Sequence, residues 1–334
     1  MSNLPDLAGA FAGRRALVTG GLGFIGSSLA IRLIDLGCEV TCVDAMLPEY
    51  GGNLFNVEPV RDRIRINFCD VRDRNSMNWL LRGTDFVFHL AGQSDHVRSL
   101  TDPFPDIDMN ISGTAVVLEG CRRFAPRAVL VYSGTRGQYG KSVKVPVSED
   151  APMNPLGIYE VSRLAAEKMI QVYNDVHGVR SVMLRLTNIY GPRSQMRHDR
   201  FGVLNWFVRQ ALDGETISVF GDGALLRDFL YIDDCVEAML ACAAQPSAHG
   251  QVFNVGHDRP VSFLDLVKTI IEVADSGQWR FAPFSPERAA QNPGDYYSDV
   301  SKIRTRTGWS ATTALREGIV RTVDFYRRHK ANYW

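Results

Sequence analysis

The sequence predicts an α/β fold, a doubly wound parallel sheet carrying a smaller C-terminal lobe. Three observations predict it. Short β-rich apolar runs alternate with longer helical stretches up to Leu186, a glycine-rich turn joins the first run to the first helix, and after Leu186 the rhythm breaks into shorter pieces. Strands separated by helices pair in parallel and are buried on both faces by those helices.

In order along the chain, Ala16-Leu17-Val18 is the first strand and a helical pattern runs from Phe24 to Leu36. Strands follow at Glu39–Val43, Ile64–Phe68, Asp85–Leu90, Ala128–Tyr132 and Ser181–Leu186, with helices at Arg74–Leu81, Asn110–Arg123 and Tyr159–His177. Residues 1–186 are therefore expected to form the main domain. Residues 187–334, punctuated by Gly191-Pro192, Gly221-Asp222-Gly223 and Pro293-Gly294, are expected to be mainly a substrate lobe with segments returning to the sheet. No internal repeat or low-complexity tract interrupts the 334 residues.

Composition narrows the function class. Hydrophobic residues make up 45% and charged residues 22%, as in a soluble globular enzyme. The 37 basic residues balance the 37 acidic ones, which disfavours nucleic acid or an anionic membrane as partner. Cys38, Cys42, Cys69, Cys121, Cys235 and Cys242 form no Cys-x-x-Cys pair and none has a histidine at metal-ligand spacing, so no metal is expected and a reducing cytoplasm fits. The N-terminus lacks a signal-peptide layout and no apolar run reaches the length of a membrane span. The histidines are scattered, with His89 expected in the sheet and His96 and His198 in loops.

The turn Thr19-Gly20-Gly21-Leu22-Gly23-Phe24-Ile25-Gly26 carries the strongest chemical signal. A strand leads in and a helix leads out, so the glycines permit a tight turn and close approach of backbone to a pyrophosphate at the helix N-terminus. Asp44 ends the second strand, 18 residues after Gly26. A carboxylate there accepts hydrogen bonds from ribose hydroxyls and repels a 2′-phosphate, which predicts a Rossmann-type domain binding NAD rather than NADP.

The GxxGxxG spacing resembles the extended short-chain dehydrogenase/reductases, in particular the NAD-dependent nucleotide-sugar epimerases and dehydratases, and the likeness runs through nearly the whole chain. Asp70-Val71, His89-Leu90-Ala91-Gly92-Gln93, Asn110, Tyr190-Gly191-Pro192-Arg193 and Arg227-Asp228-Phe229 fall where that family keeps its signatures. The resemblance implies that Gly20, Gly23, Phe24, Ile25, Gly26, Asp44, Asp70, Val71, Leu90, Ala91 and Gln93 hold the cofactor.

It also implies the catalytic residues. Tyr159 and Arg163 match the family's Tyr-x-x-x-Lys, one helical turn apart and on one face, with arginine in place of lysine. A cation there lowers the phenol's pKa so that it can take a hydroxyl proton, and it bonds the nicotinamide ribose. In Ser133-Gly134-Thr135-Arg136-Gly137-Gln138-Tyr139-Gly140, Thr135 occupies the Ser/Thr position that binds the reacting oxygen. The 4,6-dehydratases carry an Asp-Glu pair at the next two positions. Arg136 and Gly137 stand there instead, which disfavours dehydration by that route.

On the substrate side, the resemblance implies that Gln93 and Thr135 contact the sugar, that Asn188 and Arg227 bind its diphosphate, and that Val219 and Phe220 line the base pocket. Leu225 replaces a family glutamine, and Asn292 replaces a phosphate-binding arginine for which Arg193 or Arg288 would compensate. The expected function is NAD-dependent 4-epimerisation of a nucleotide diphosphate sugar, by transient oxidation and hydride return, in a homodimer built from the helices at Asn110–Arg123 and Tyr159–His177. C2 epimerisation, elimination by other groups, net oxidoreduction, and binding without turnover stay open.

Overall fold

The computed structural model describes residues 4–141, 144–284 and 293–334. Strands β1 (Arg15–Thr19), β2 (Glu39–Val43), β3 (Arg65–Asn67), β4 (Phe86–His89), β5 (Val129–Thr135) and β6 (Ser181–Leu186) lie within a few residues of their expected places. The C-terminal part adds β7 (Asn188–Tyr190), β8 (Thr216–Phe220), β9 (Leu226–Arg227), β10 (Phe229–Tyr231), β11 (Val252–Val255), β12 (Val261–Ser262) and β13 (Gln278–Ala282).

A seven-stranded sheet runs in the order β11-β6-β5-β4-β1-β2-β3, with every neighbouring pair parallel. Successive side chains of a strand point to opposite faces. In β1, Ala16 and Val18 thus join the core beneath the helix Phe24–Asp35, whereas Leu17 joins the opposite core beneath the helices Gly113–Phe124 and Ile158–His177. β11 comes from beyond Leu186 and pairs with β6 from Val252↔Met183 to Val255↔Leu186. Helix Ile232–Ala244 packs on the same face as Phe24–Asp35, so one continuous core joins the sheet to the C-terminal segments.

The expected helix at Asn110–Arg123 begins instead as a π-helical turn, Ile107–Ser112, and becomes α-helical at Gly113. Such turns widen the backbone locally and often sit at functional sites. His89 closes β4, whereas His96, expected in a loop, opens the short helix His96–Thr101 because Asp95 caps it, accepting from Arg98 N at 2.9 Å. No helix of the described residues is long and apolar enough to cross a membrane.

Candidate active site

The C-terminal ends of the central strands open into one cleft of about 610 Å³. It lies where β2 and β4 diverge on either side of β1, the crevice in which open α/β sheets bind ligands.

One end of the cleft is the glycine turn. Gly20 has φ +66°, and a Cβ there would crowd the Ala91 amide at 3.0 Å; a Cβ on Gly26 would collide with the Gly20 carbonyl. Gly23 caps helix Phe24–Asp35 without a side chain, leaving its first-turn amides to a ligand, and Phe24 and Ile25 line the cleft beside them. Asp44 accepts from Leu22 N at 3.0 Å and Met46 N at 2.9 Å, which anchors its carboxylate beside the turn. Burial pushes its pKa up, against the pull of those two amides. A backbone cradle that tolerates no Cβ, an open helix N-terminus and a seated carboxylate fit a dinucleotide with free ribose hydroxyls.

Farther along, Asp70, Val71, Leu90 and Ala91 also line the cleft. Asp70 is gripped by Arg72 Nε at 2.9 Å and Nη2 at 2.7 Å, which holds its carboxyl below the usual range. Gln93 reaches the cleft, but its amide is spent elsewhere. It donates to Asp95 O at 3.0 Å and Asp106 Oδ2 at 2.9 Å and accepts from Asp95 N, so the side chain ties down its own loop instead of offering free groups to a ligand. Asn110, fully buried in the π turn, bonds Gln93 N at 2.9 Å, Gln93 O at 3.1 Å and Ser162 Oγ at 2.9 Å, joining that loop to helix Ile158–His177.

Another part of the cleft is built by helix Ile158–His177 and the end of β5. Tyr159 and Thr135 both line the cleft, and Thr135 helps to pull the phenol's pKa down. Thr135 also caps the turn Arg136–Tyr139, accepting from Gly137 N at 3.1 Å. Arg163 lies one turn beyond Tyr159 and is buried, donating to Ser133 O, to Ser133 Oγ at 3.1 Å and to Asn110 Oδ1 at 3.5 Å, with its guanidinium over the Tyr132 ring at 4.8 Å. Its Nε has no hydrogen-bond partner among the described residues. Burial raises the Tyr159 pKa and Arg163 pulls it back only in part, so the phenol stays above its ordinary value. The expected lowering by the cation is present in direction and is outweighed by desolvation.

On the substrate side, Asn188 faces the cleft, donating to Asp228 O at 3.0 Å and accepting from Arg136 Nη2 at 3.4 Å. Arg136 lies 4.9 Å over the Tyr296 ring. Arg227 is buried, bonded to Leu226 O at 2.7 Å and Gly294 O at 2.5 Å, and its pKa is brought down to about 9 by burial and then by the charge of Arg136. Of the arginines expected to replace the one missing at position 292, Arg193 stacks on Phe325 at 5.8 Å by the C-terminal helix, while Arg288, like Asn292, lies outside the described residues. Among the described residues, the cation that reaches Asn188 is Arg136. Val219 and Phe220 do not act together: side chains alternate along β8, so Val219 enters the core against Gly223 while Phe220 turns to Phe284, with ring centroids 5.7 Å apart.

The structure adds one pair with no sequence signal. His96 Nδ1 lies 2.5 Å from Glu160 Oε1, and both residues line the cleft beside Tyr159. Sixty-four positions separate them, so no local spacing could have joined them.

Residues 16–256 match the model of the NAD dependent epimerase/dehydratase family. The chain is 34% identical over 317 residues to the UDP-glucose 4-epimerase of Mycolicibacterium smegmatis, covering 94% of this chain and 98% of that one. Among solved structures it resembles the UDP-glucose 4-epimerase of Thermotoga maritima with UDP-glucose, at TM-score 0.86 and 29% identity over 95% of this chain and 99% of that one. It also resembles a dTDP-glucose 4,6-dehydratase of Streptomyces venezuelae with NAD bound, at TM-score 0.84 and 26% identity over 95% and 98%.

Proposed function

The chain belongs to the NAD dependent epimerase/dehydratase family, and from that premise we propose that it is a nucleotide-sugar 4-epimerase. The observation that carries the reading is Tyr159, one turn from Arg163, lining the same cleft as Thr135 and the glycine turn. NAD supplies the acceptor and donor of hydride. Tyr159 takes the proton of the sugar hydroxyl, Thr135 orients that oxygen, and Arg163 offsets the charge on the phenolate. Asn188 and Arg136 form a polar, cationic wall of the cleft suited to a diphosphate, and the buried Arg227 adds its charge beside Arg136. A proton parked on Tyr159 returns to the oxygen when hydride comes back to the other face.

The test is to screen UDP- and dTDP-hexoses for interconversion by the purified protein without added NAD, and to identify nucleotides released on denaturation. Interconversion at C4 with NAD in the extract is the expected outcome. Tight binding of NAD and sugar nucleotide with no conversion of any of them would instead identify a binder.

A homodimer is part of the proposal. Val161, Val172 and Val176 are exposed along one stripe of helix Ile158–His177, and Phe104 before the π turn and Ile107 at its start are exposed as well. Light scattering is expected to give twice the chain mass, and Val172→Asp with Val176→Asp is expected to give monomer.

A further inference from the structure

We propose that His96 and Glu160 form a second proton-transfer pair in this site, in which His96 removes and returns a proton at the sugar carbon next to the carbonyl and Glu160 positions it. The inference rests on the keto-sugar chemistry proposed for Tyr159.

The imidazole stands edge-on to the Tyr159 ring with centroids 4.7 Å apart, so the two side chains address neighbouring atoms of one ligand. Its Nδ1 is held by Glu160 at 2.5 Å, while Nε2 makes no hydrogen bond among the described residues, on a side chain 53% exposed in the cleft. Glu160 is almost fully buried, and its Oε2 has no hydrogen-bond partner among the described residues. A carboxylate used only to clamp two helices would be expected to satisfy both oxygens, because burying an unpaired one is costly. Here the partner is an imidazole whose other nitrogen is open to the ligand, the arrangement that fixes a histidine's tautomer and aims its second nitrogen.

The backbone is shaped around this carboxylate. A Cβ on Gly137 would lie 2.6 Å from Glu160 Cγ, and one on Gly157 would lie 2.5 Å from Oε2. Glu160 thus fills the room that a side chain at position 137 would need. Arg136, on the same turn, adds positive charge that favours the ionised carboxylate.

In the step, the C–H bond next to the carbonyl breaks and its proton joins His96 Nε2. The C–H electron pair forms the carbon–carbon double bond, and the carbonyl π pair moves to oxygen, where Tyr159 and Thr135 donate hydrogen bonds. Nδ1–H stays on His96, and Glu160 balances the imidazolium charge. Nothing is oxidised or reduced in this step. The half-exposed imidazolium trades its proton with water before the reverse step returns one to carbon.

The probes are UDP- and dTDP-linked 4-keto-6-deoxyglucose incubated with the protein in D2O and followed by NMR. Wild type is expected to place deuterium next to the carbonyl at least tenfold faster than buffer. His96→Gln and Glu160→Gln are expected to lose at least nine-tenths of that rate, and Glu160→Asp to recover part of it. In the protein alone, a low-field Nδ1–H proton resonance is expected that Glu160→Gln abolishes and Tyr159→Phe retains. Exchange no faster than buffer, or equally fast in His96→Gln, overturns the pair. Epimerisation of nucleotide hexoses without such exchange overturns the pair and leaves the 4-epimerase reading standing; exchange without epimerisation does the reverse.

Discussion

At the scale of single residues, Arg163 is the position where this chain leaves its family's pattern most visibly. Its guanidinium keeps a permanent charge beside Tyr159, yet three of its contacts are with Ser133 and Asn110, so it also pins β5 to the catalytic helix. Arginine's planar fork suits that double task, and an ammonium reaches fewer acceptors at once. Arg163→Ala is expected to lower kcat by about 100-fold, the usual scale for disabling acid–base chemistry. Arg163→Lys is expected to recover a large part of it. Unchanged turnover in the alanine variant, measured at substrate saturation, would contradict the assigned role. Arg163 was legible because Tyr159 and its helix mark the place; its bonds to Ser133 were not, since they cross from helix to strand.

At the scale of elements, the turn bearing Thr135 is held from beneath by a buried ion pair. Arg185 on β6 meets Glu167 on helix Ile158–His177 at 2.7 Å, with both side chains almost wholly buried. Gln138 Nε2 donates to Glu167 at 2.9 Å, and Arg185 Nη1 donates to the Tyr139 hydroxyl at 2.8 Å. β6, helix Ile158–His177 and the turn Arg136–Tyr139 are thereby locked together through one carboxylate. Glu167→Gln leaves a buried guanidinium without its counter-charge, and urea denaturation is expected to report a loss of about 3–5 kcal/mol. Activity in that variant is expected to fall as well, because the turn carrying Thr135 loses its support. None of this network follows a local spacing: β6, the helix and the turn were each legible by period, but their shared bond was not.

At the scale of the whole molecule, the sheet's centre makes stability depend on pH. His89 is buried between Thr19, whose Oγ1 lies 2.9 Å from Nδ1, and Thr114, whose Oγ1 lies 3.0 Å from Nε2. Thr19 Oγ1 already accepts from Leu90 N and Ala91 N, so its proton goes to Nδ1; Thr114 donates to Asn110 O and therefore accepts from Nε2–H. The imidazole is thus held neutral, and burial, then Arg163, brings its pKa down to about 3. With the unfolded value near 6.5, the unfolded chain binds the extra proton between those two values. Stability from this group is therefore complete above about pH 6.5 and is lost as pH falls toward 3, by up to about 1.4 kcal/mol per pH unit. Urea melts at successive pH values are expected to show that slope, and His89→Asn is expected to flatten it. A slope unchanged in the variant would assign it to other groups.

The sequence by itself determined the parallel sheet's first six strands, the glycine turn and the acidic residue after it, because each is a local pattern: an apolar run of strand length, a strand–turn–helix, a fixed distance along the chain. Tyr159 and Arg163 were equally legible, being neighbours on one helical turn. Only the tertiary structure decided that β11 completes the sheet, that Arg136 stands against Asn188, that Gln93 spends its amide on its own loop, and that Val219 and Phe220 face apart. It alone set Glu160 against His96. Each of these depends on which distant segments the crossovers bring to one end of the sheet, and on which side chains burial then forces to find partners there.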